Sequence, residues 1–271
     1  GIYDADHTYG HAAASFAMKE AIDMAANSGS GFAVIKNSTH FSASAYYALQ
    51  AAEKDMIGIS CTNTSSMMVP TRGKRPFLGT NALTFSFPCL GESPICLDMA
   101  TTQIAWNWVL KAKEEGKMLD SKWAVNAEGK VTENPDKAIG LLPAGLHKGY
   151  GLALVVEILC GILANQPYGP HVSSMFDGDL SNKRHLSHFV GAINISKFID
   201  IELFKTSLKT MIEELRKEPP IDLDLPIMVA GDPEKIFEKK RLIKGIPIED
   251  IIVDEINELI NRHGLSNQMR L

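Results

Sequence analysis

The chain has 271 residues, of which 45% are hydrophobic, and its formal net charge at pH 7 is −5. A chain of this length and composition buries a sizeable core, as one large domain or as two closely packed lobes. The acidic balance, the lack of a Lys/Arg block and the lack of any apolar run of ~20 residues argue against nucleic-acid and membrane partners.

The cysteine and histidine spacings argue against a metal site. The four cysteines occur singly in apolar surroundings without CxxC spacing, and the eight histidines show no HxH or HExxH pattern. The cysteines are typical of small buried hydrophobes in a reducing compartment. The sequence therefore predicts a cytoplasmic protein without bound metal.

The first 62 residues predict a helix followed by a βαβ unit. The alanine-rich segment 11–27 predicts a helix that ends before Gly29. Residues 31–36 and 56–62 are apolar runs of strand length, and residues 41–54 predict the crossover helix between them. His40 then lies at a strand-to-helix turn, where a titratable imidazole is available for acid/base chemistry.

Polar residues follow the second of these strands. Ligands in open α/β sheets bind outside the carboxyl ends of the strands. We therefore expect the turn with His40 and the turn at residues 62–65 to face one site. The alternative for Asn63 and its neighbours is a polar turn stabilised by its own side-chain hydrogen bonds.

A basic loop at residues 70–76 precedes the sequence Leu78-Gly79-Thr80-Asn81. Positive charge beside glycine turns suits phosphate. The chain nevertheless contains neither GxGxxG nor GxxxxGK[ST], so both familiar nucleotide fingerprints are missing.

Two further strands are predicted at residues 82–87 and 94–99, followed by a helix at 103–115 with Thr101 or Thr102 as its cap. Asp98 would lie at a strand end just before that helix. A carboxylate in this position can accept hydrogen bonds from a sugar diol, and a structural turn aspartate is an equally good interpretation.

Residues 120–136 predict a surface excursion anchored by Trp123, and a glycine-rich stretch then leads into the apolar helix 152–164. Lys148 at the entrance of this helix adds positive charge where backbone amides point outward, although a solvated lysine is the alternative. Glu157 is expected to be paired, without a catalytic role, because a lone buried carboxylate is costly.

The last third of the chain predicts a loop at 177–181, a strand at 187–195 that carries His188, and helices at 201–217, 232–242 and 248–261. The sequence Gly231-Asp232-Pro233 is typical of a helix start, with Asp232 as the cap and proline in the first turn.

Taken together, six motifs resemble the type-2 malate/L-lactate dehydrogenases across nearly the whole chain and in the same order. They are Asn37-Ser38-Thr39-His40-Phe41, Thr62-Asn63, Leu78-Gly79-Thr80-Asn81, Asp98-Met99-Ala100-Thr101, Lys148-Gly149-Tyr150-Gly151-Leu152 and Ala230-Gly231-Asp232.

The resemblance implies an α/β fold of the non-Rossmann type, with a mixed sheet covered by helices, and a homodimer. It implies NAD or NADP as cofactor and a small 2-hydroxy or 2-keto acid as substrate, with malate and oxaloacetate as the expected pair. It also implies two lobes in one family domain: an outer lobe of residues 1–75 with 220–271, which carries the acid/base histidine, and a cofactor-binding lobe of residues 76–219.

The resemblance assigns a role to each candidate site residue. His40 is the catalytic acid/base group. The cofactor-binding residues are Thr64, Asp98, Met99, Ala100, Lys148, Gly149, Gly231 and Asp232. The substrate-binding residues are Ser38, Asn63, Thr80 and Asn81.

The sequence also departs from the family pattern. Family members carry an N-terminal segment with an Asp-Ser-His-Gly motif and a following arginine, and this segment is absent here; in some members its histidine is the proposed acid/base group. Ser42 and Ala45 stand where the family usually has glycines. Besides a dehydrogenase, the sequence thus allows a dinucleotide-binding but catalytically incomplete fragment, or a structural α/β protein in which His40 belongs to the core.

Overall fold

The computed structural model describes residues 1–174 and 182–265. Its strands are β1 (Ile2–Asp4), β2 (Ser30–Ser38), β3 (Met56–Thr62), β4 (Ala82–Phe87), β5 (Ile95–Met99), β6 (Ala124–Val125), β7 (Val131–Thr132), β8 (Gly140–Leu141) and β9 (Leu186–Asn194). Its α-helices are α1 (Gly10–Ser28), α2 (Ala45–Ala52), α3 (Trp106–Glu114), α4 (His147–Glu157), α5 (Ile201–Lys217), α6 (Asp232–Lys244) and α7 (Asp250–Arg262). The predicted loop at 177–181 lies outside the described residues.

The main sheet has six strands in the order β1-β2-β9-β3-β4-β5. Strand β1 is parallel to β2, β9 is antiparallel to both β2 and β3, and β4 is antiparallel to both β3 and β5. Strands β1, β2, β3 and β5 therefore run in one direction. Their carboxyl ends meet the amino ends of β4 and β9 at one edge, which we call the carboxyl edge.

This topology confirms the predicted α/β fold with a mixed sheet and corrects one detail of it. Strands β2 and β3 are parallel and joined through α2, as the βαβ interpretation requires. They are not neighbours, however, because β9 lies between them and pairs with both. Strand β9 lies more than 120 residues further along the chain, so the local sequence pattern of β2 and β3 cannot predict that β9 pairs between them.

Helix α1 packs closely on the sheet because its inner face is made of small residues. Ala14, Ala17, Ala21 and Ala25 are all fully buried there. A Cβ atom on Gly31 of β2 would lie only 2.1 Å from the carbonyl oxygen of Ala21. The helix ends at Ser28 and is capped by Gly29, whose φ of 90° suits a residue without a side chain.

The interpretation of residues 120–136 as a surface excursion is wrong for their inner part. Strands β6 and β7 join β8 in a second sheet of order β7-β6-β8, and Ala124 is buried in a core with Leu141 and Val109. Trp123 packs against this core, as expected. Strands of two residues are too short to show an alternating pattern.

Two helix starts also differ from prediction. Helix α3 begins at Trp106 after Ala105, and the Thr102 hydroxyl instead donates to the carbonyl oxygen of Ile104 at 2.7 Å. Helix α4 begins at His147, within the glycine-rich stretch, and continues into a π-helical turn at Ile158–Ile162.

The contacts divide the chain into one compact unit of residues 1–231 and a second that begins at Asp232 with α6 and α7. The main sheet takes strands from both predicted lobes, whose boundaries stay a prediction. Among the described residues, no helix has the length and apolar character needed to cross a membrane.

Candidate active site

The carboxyl edge gathers most of the predicted site residues. Ser38 ends β2 and His40 follows it, and Asn63 and Thr64 follow β3. Thr80 and Asn81 precede β4, Asp98 and Met99 end β5, and Ala100 follows β5. The expectation that the turns after β2 and β3 share one edge is confirmed by the strand directions.

His40 is exposed at this edge, and one of its ring nitrogens is held. The backbone N–H of Ser42 donates to Nδ1 at 3.1 Å, so the neutral ring carries its proton on Nε2. Partial burial lowers the pKa of His40, and electrostatic interactions with Arg184 and His11 lower it further. Near neutral pH the ring is therefore mostly uncharged, with Nε2 left for a ligand.

The amino end of α1 supports the backbone of the His40 turn. The N–H of Gly10 donates to Oγ1 of Thr39 at 2.9 Å. A Cβ atom on Gly10 would lie 2.4 Å from the carbonyl oxygen of Thr39 and 2.8 Å from that of His40. Only a glycine lets α1 approach the turn this closely, and sequence reasoning did not select Gly10.

Replacing Gly10 with alanine is expected to push the Thr39 and His40 carbonyls outward. We expect a loss of about 1–3 kcal/mol in the free energy of unfolding and a kcat roughly 10- to 100-fold lower, since small misplacements of a catalytic group are costly. Steady-state kinetics and denaturant titration measure both. Gly151→Ala is the matched control, because a Cβ there meets open space among the described residues; equal effects of the two variants would contradict the prediction.

Ser42 adopts a backbone conformation that favours glycine, with φ of 66°. Ser42→Gly is expected to raise the free energy of unfolding by roughly 0.5–1 kcal/mol and to preserve activity, because the bond to His40 comes from the backbone. Ala12→Gly on the exposed face of α1 is the control and should lower stability by a similar amount. Thermal unfolding measures both, and a destabilised Ser42→Gly would refute the strain argument.

His188 lies beneath the His40 turn and is completely buried. Its Nε2 donates to the carbonyl oxygen of Thr39 at 3.1 Å and lies 2.9 Å from the Ser38 hydroxyl, while Nδ1 lies 2.8 Å from Oγ1 of Thr62. Its ring stacks on Phe41 with centroids 4.3 Å apart. Burial lowers the pKa of His188 to about 3, so a neutral imidazole joins the turns after β2 and β3.

From the sequence, His188 is predicted only as part of a strand. Its polar partners lie 126 to 150 residues away along the chain, so no local spacing could have revealed the role. The only available signal was a histidine inside a strand predicted to be buried.

A buried carboxylate fixes the next part of the edge. Glu157 accepts hydrogen bonds from the side-chain amides of Asn63 at 3.2 Å and Asn81 at 2.7 Å, and from the N–H of Gly169 at 3.1 Å. Asn63 also accepts from the N–H of Ser187 at 3.1 Å. The expectation that Glu157 is paired is confirmed, with amides as its partners. Most hydrogen-bonding groups of the Asn63 and Asn81 side chains therefore already have partners inside the protein.

The threonines of the edge form a hydrogen-bond network that reaches α4 through Ala144, whose N–H donates to the carbonyl oxygen of Thr101 at 2.9 Å and whose carbonyl oxygen accepts from the N–H of Gly149 at 2.8 Å. The N–H of Thr80 donates to Oγ1 of Thr64 at 3.0 Å, and the N–H of Thr101 donates to the carbonyl oxygen of Thr80 at 2.8 Å. A Cβ atom on Gly149 would lie 2.2 Å from the carbonyl oxygen of Ala144. Packing alone therefore requires a glycine at position 149, and its role toward a cofactor stays a prediction.

Asp98 connects β5 to the start of α2. Its Oδ2 accepts from the N–H of Ala45 at 2.8 Å, and its Oδ1 accepts from the Thr84 hydroxyl at 2.9 Å. These bonds support the structural interpretation of Asp98. The residue is nevertheless exposed, with Met99 and Ala100 half-buried beside it, so lone pairs remain accessible to a ligand.

The remaining predicted site residues, Lys148, Gly231 and Asp232, do not belong to the strand ends of the carboxyl edge. Lys148 is exposed in the first turn of α4, and its side-chain ammonium makes no hydrogen bond or ion pair within the described chain. Gly231, with φ of 92°, lies beside β5, since its Cβ would be 3.2 Å from the backbone nitrogen of Cys96. Asp232 belongs to the second compact unit.

A mixed sheet that presents an accessible histidine and a fixed polar network at its carboxyl edge is typical of an α/β enzyme with its ligand site there. Comparison with known proteins defines the family. The sequence profile of the malate/L-lactate dehydrogenase family matches residues 1–257. The chain belongs to this family and is, in class, an NAD(P)-dependent 2-hydroxy-acid dehydrogenase.

Individual relatives show how far the similarity extends. The chain is 35% identical to a malate dehydrogenase of Pyrococcus abyssi, over 97% of this chain and 74% of that protein. It is 36% identical to a ureidoglycolate dehydrogenase (NAD⁺) of Escherichia coli, over 98% and 75%. The crystal structure of malate dehydrogenase from Entamoeba histolytica superimposes with a TM-score of 0.92 at 31% identity, covering 99% of this chain and 78% of that one.

Proposed function

We propose that this chain transfers a hydride between NAD or NADP and a small 2-hydroxy acid, with malate and oxaloacetate as its pair. The single observation that carries the chemistry is His40, exposed at the carboxyl edge with Nδ1 held by Ser42 and Nε2 left for a substrate oxygen. The malate dehydrogenases among the relatives support the choice of substrate.

The nicotinamide ring, when bound, supplies or accepts the hydride at the substrate's C2. His40 handles the accompanying proton. In reduction, the imidazolium gives its Nε2 proton to the oxygen as the carbonyl becomes a hydroxyl, which leaves a neutral ring protonated on Nδ1. In oxidation, this Nδ1–H tautomer takes the hydroxyl proton on Nε2. Because Nδ1 accepts from the N–H of Ser42 in the resting neutral ring, placing a proton on Nδ1 must break this hydrogen bond. This cost disfavours the imidazolium, and the ring has to give up the bond before it can act as the base.

Several residues fit a dinucleotide. Lys148 presents an ammonium that is unpaired among the described residues at the amino end of α4, where backbone amides already favour a pyrophosphate. The exposed carboxylate of Asp98 suits a ribose diol. We propose Thr64, Met99, Ala100, Gly149, Gly231 and Asp232 as further cofactor contacts, and Ser38, Asn63, Thr80 and Asn81 as the substrate side.

The choice between NAD and NADP rests on the basic loop. Arg72, Lys74 and Arg75 are exposed and would favour the 2′-phosphate of NADP if the adenosine lies within their reach. Names among the relatives include both an NAD⁺ and an NADP⁺ enzyme.

A panel of 2-oxo acids tested with NADH and NADPH examines the proposal. We expect oxidation of the reduced cofactor with oxaloacetate at a higher kcat/KM than with pyruvate. A change in NAD(P)H fluorescence on binding, without turnover of any 2-oxo acid, would instead support the dinucleotide-binding but catalytically incomplete chain. No binding and no turnover would refute both.

We also propose a cytoplasmic homodimer. Exposed apolar side chains on α4 and its π-helical turn, namely Leu154, Val155, Ile158 and Ile162, are available for a second copy. The buried thiols of Cys61 and Cys160 suit a reducing compartment. Light scattering during size-exclusion chromatography measures the mass of the particle, and a monomer at micromolar concentration would contradict the dimer.

A further inference from the structure

Arg184 lies at the carboxyl edge, just before β9. Strand β9 begins at Leu186, which pairs with Ser38 at the end of β2. The chain therefore brings Arg184 to the same edge as His40, although 144 positions separate them in the sequence. Its positive charge is close enough to His40 to disfavour the imidazolium.

The guanidinium of Arg184 is half-buried without an acidic partner in the described chain. Nη2 donates to the carbonyl oxygen of Ser173 at 3.3 Å, and Nε is buried with no hydrogen-bond partner. Burial lowers the pKa of Arg184. A half-buried cation with unused donors is costly, and a bound anion offsets this cost.

Other cations near this edge suit an anion less well. Lys36 forms an ion pair with Asp4 at 3.4 Å, and Lys183 is exposed to water. Arginine also presents a planar fork that matches both oxygens of a carboxylate, which an ammonium cannot do. Arg184 therefore combines the charge, the geometry and the position.

We propose that Arg184 binds the carboxylate of the 2-hydroxy or 2-oxo acid whose C2 oxygen exchanges a proton with His40. The inference rests on the proposed function. The carboxylate is bonded directly to C2. A cation beside the acid/base histidine would therefore hold the carboxylate while the histidine holds the C2 oxygen. Arg184 is then a substrate-binding residue that aligns C2 for the hydride.

Kinetics of Arg184→Gln and Arg184→Lys test this role. Loss of a charge-assisted hydrogen bond is expected to raise KM for oxaloacetate roughly 10- to 100-fold in Arg184→Gln. Arg184→Lys keeps the charge and should recover part of the loss. Lys183→Gln removes the same charge one residue away and should change KM by less than about 3-fold, since exposed charges are screened.

A second measurement does not need turnover. NMR titration of the His40 ring, with and without malonate as a carboxylate probe, reports the charges around it. Arg184→Gln should raise the His40 pKa, and malonate should raise it in the wild type but not in this variant. Equal malonate affinity in the two proteins, or an unchanged KM in a folded Arg184→Gln, would overturn the role of Arg184 and leave the proposed function standing. A wild type that binds malonate through Arg184 but reduces no 2-oxo acid would refute the proposed function and show an anion site only.

Discussion

Replacing His40 with alanine or glutamine should lower kcat for oxaloacetate reduction by about 10²- to 10⁴-fold, the usual contribution of a positioned acid/base group. Binding of the reduced cofactor should remain within a few fold of the wild type, because no other described side chain depends on the His40 ring for its position. Stopped-flow or steady-state kinetics measure the first quantity and cofactor fluorescence the second.

The pH dependence makes this prediction more specific. The pKa of His40 lies below its usual value of 6.5, so the neutral ring needed for oxidation persists into mildly acidic solution, whereas reduction slows as the pH rises through the lowered pKa. These pH limits should disappear from the residual activity of His40→Gln. His263→Asn is the control, since His263 is exposed near the end of α7. Turnover near the wild-type level in His40→Ala would exclude His40 as the acid/base group.

The sequence predicts the parts of the fold that have a local pattern. Helices α1 and α5 match their predicted bounds within a residue or two because each packs one regular face inward, and strand β3 matches because it is a continuous apolar run. The position of β9 between β2 and β3 has no local signal, since its hydrogen bonds join residues more than 120 positions apart. The short strands β6 to β8 are not predicted for a different reason: a strand of two residues cannot show a period.

The candidate site divides in the same way. His40 was accessible to sequence reasoning because a histidine after an apolar strand is visible in one short window. Gly10, His188 and Arg184 have no such local signal, because their importance comes from contacts within the folded chain. A Cβ on Gly10 would lie 2.4 Å from a carbonyl oxygen, and the His188 ring is buried between two turns. The Arg184 guanidinium has no acidic partner in the described chain. None of these residues differs in its local sequence from an ordinary structural residue.

Strand β9 connects these observations physically. It is hydrogen-bonded to both strands whose turns form the site, it carries His188 beneath the His40 turn, and it follows Arg184. A substitution that displaces β9 should therefore affect both His40 and the proposed carboxylate site at Arg184. A substitution confined to α2 should affect mainly the His40 turn.

Acidification should destabilise the protein through His188. Its pKa is 6.5 when unperturbed and falls to about 3 in the folded protein. Between these values the unfolded chain binds more protons, so the free energy of unfolding decreases as the pH falls through this range. The slope approaches about 1.4 kcal/mol per pH unit, and the total loss is on the order of 5 kcal/mol near pH 3. Urea titrations at intervals from pH 8 to pH 4 measure it.

His188→Asn tests the origin of this slope. The variant is expected to be about 1–3 kcal/mol less stable than the wild type at pH 8, because the carbonyl oxygen of Thr39 loses its buried donor. It should nevertheless lose less stability on acidification, so the two curves converge toward low pH. His263→Asn should keep the wild-type slope. Parallel curves for His188→Asn and the wild type would mean that other groups cause the acid sensitivity. Loss of kcat in His188→Asn at pH 8, with His40 intact, would further show that the buried ring positions the turn on which proton transfer depends.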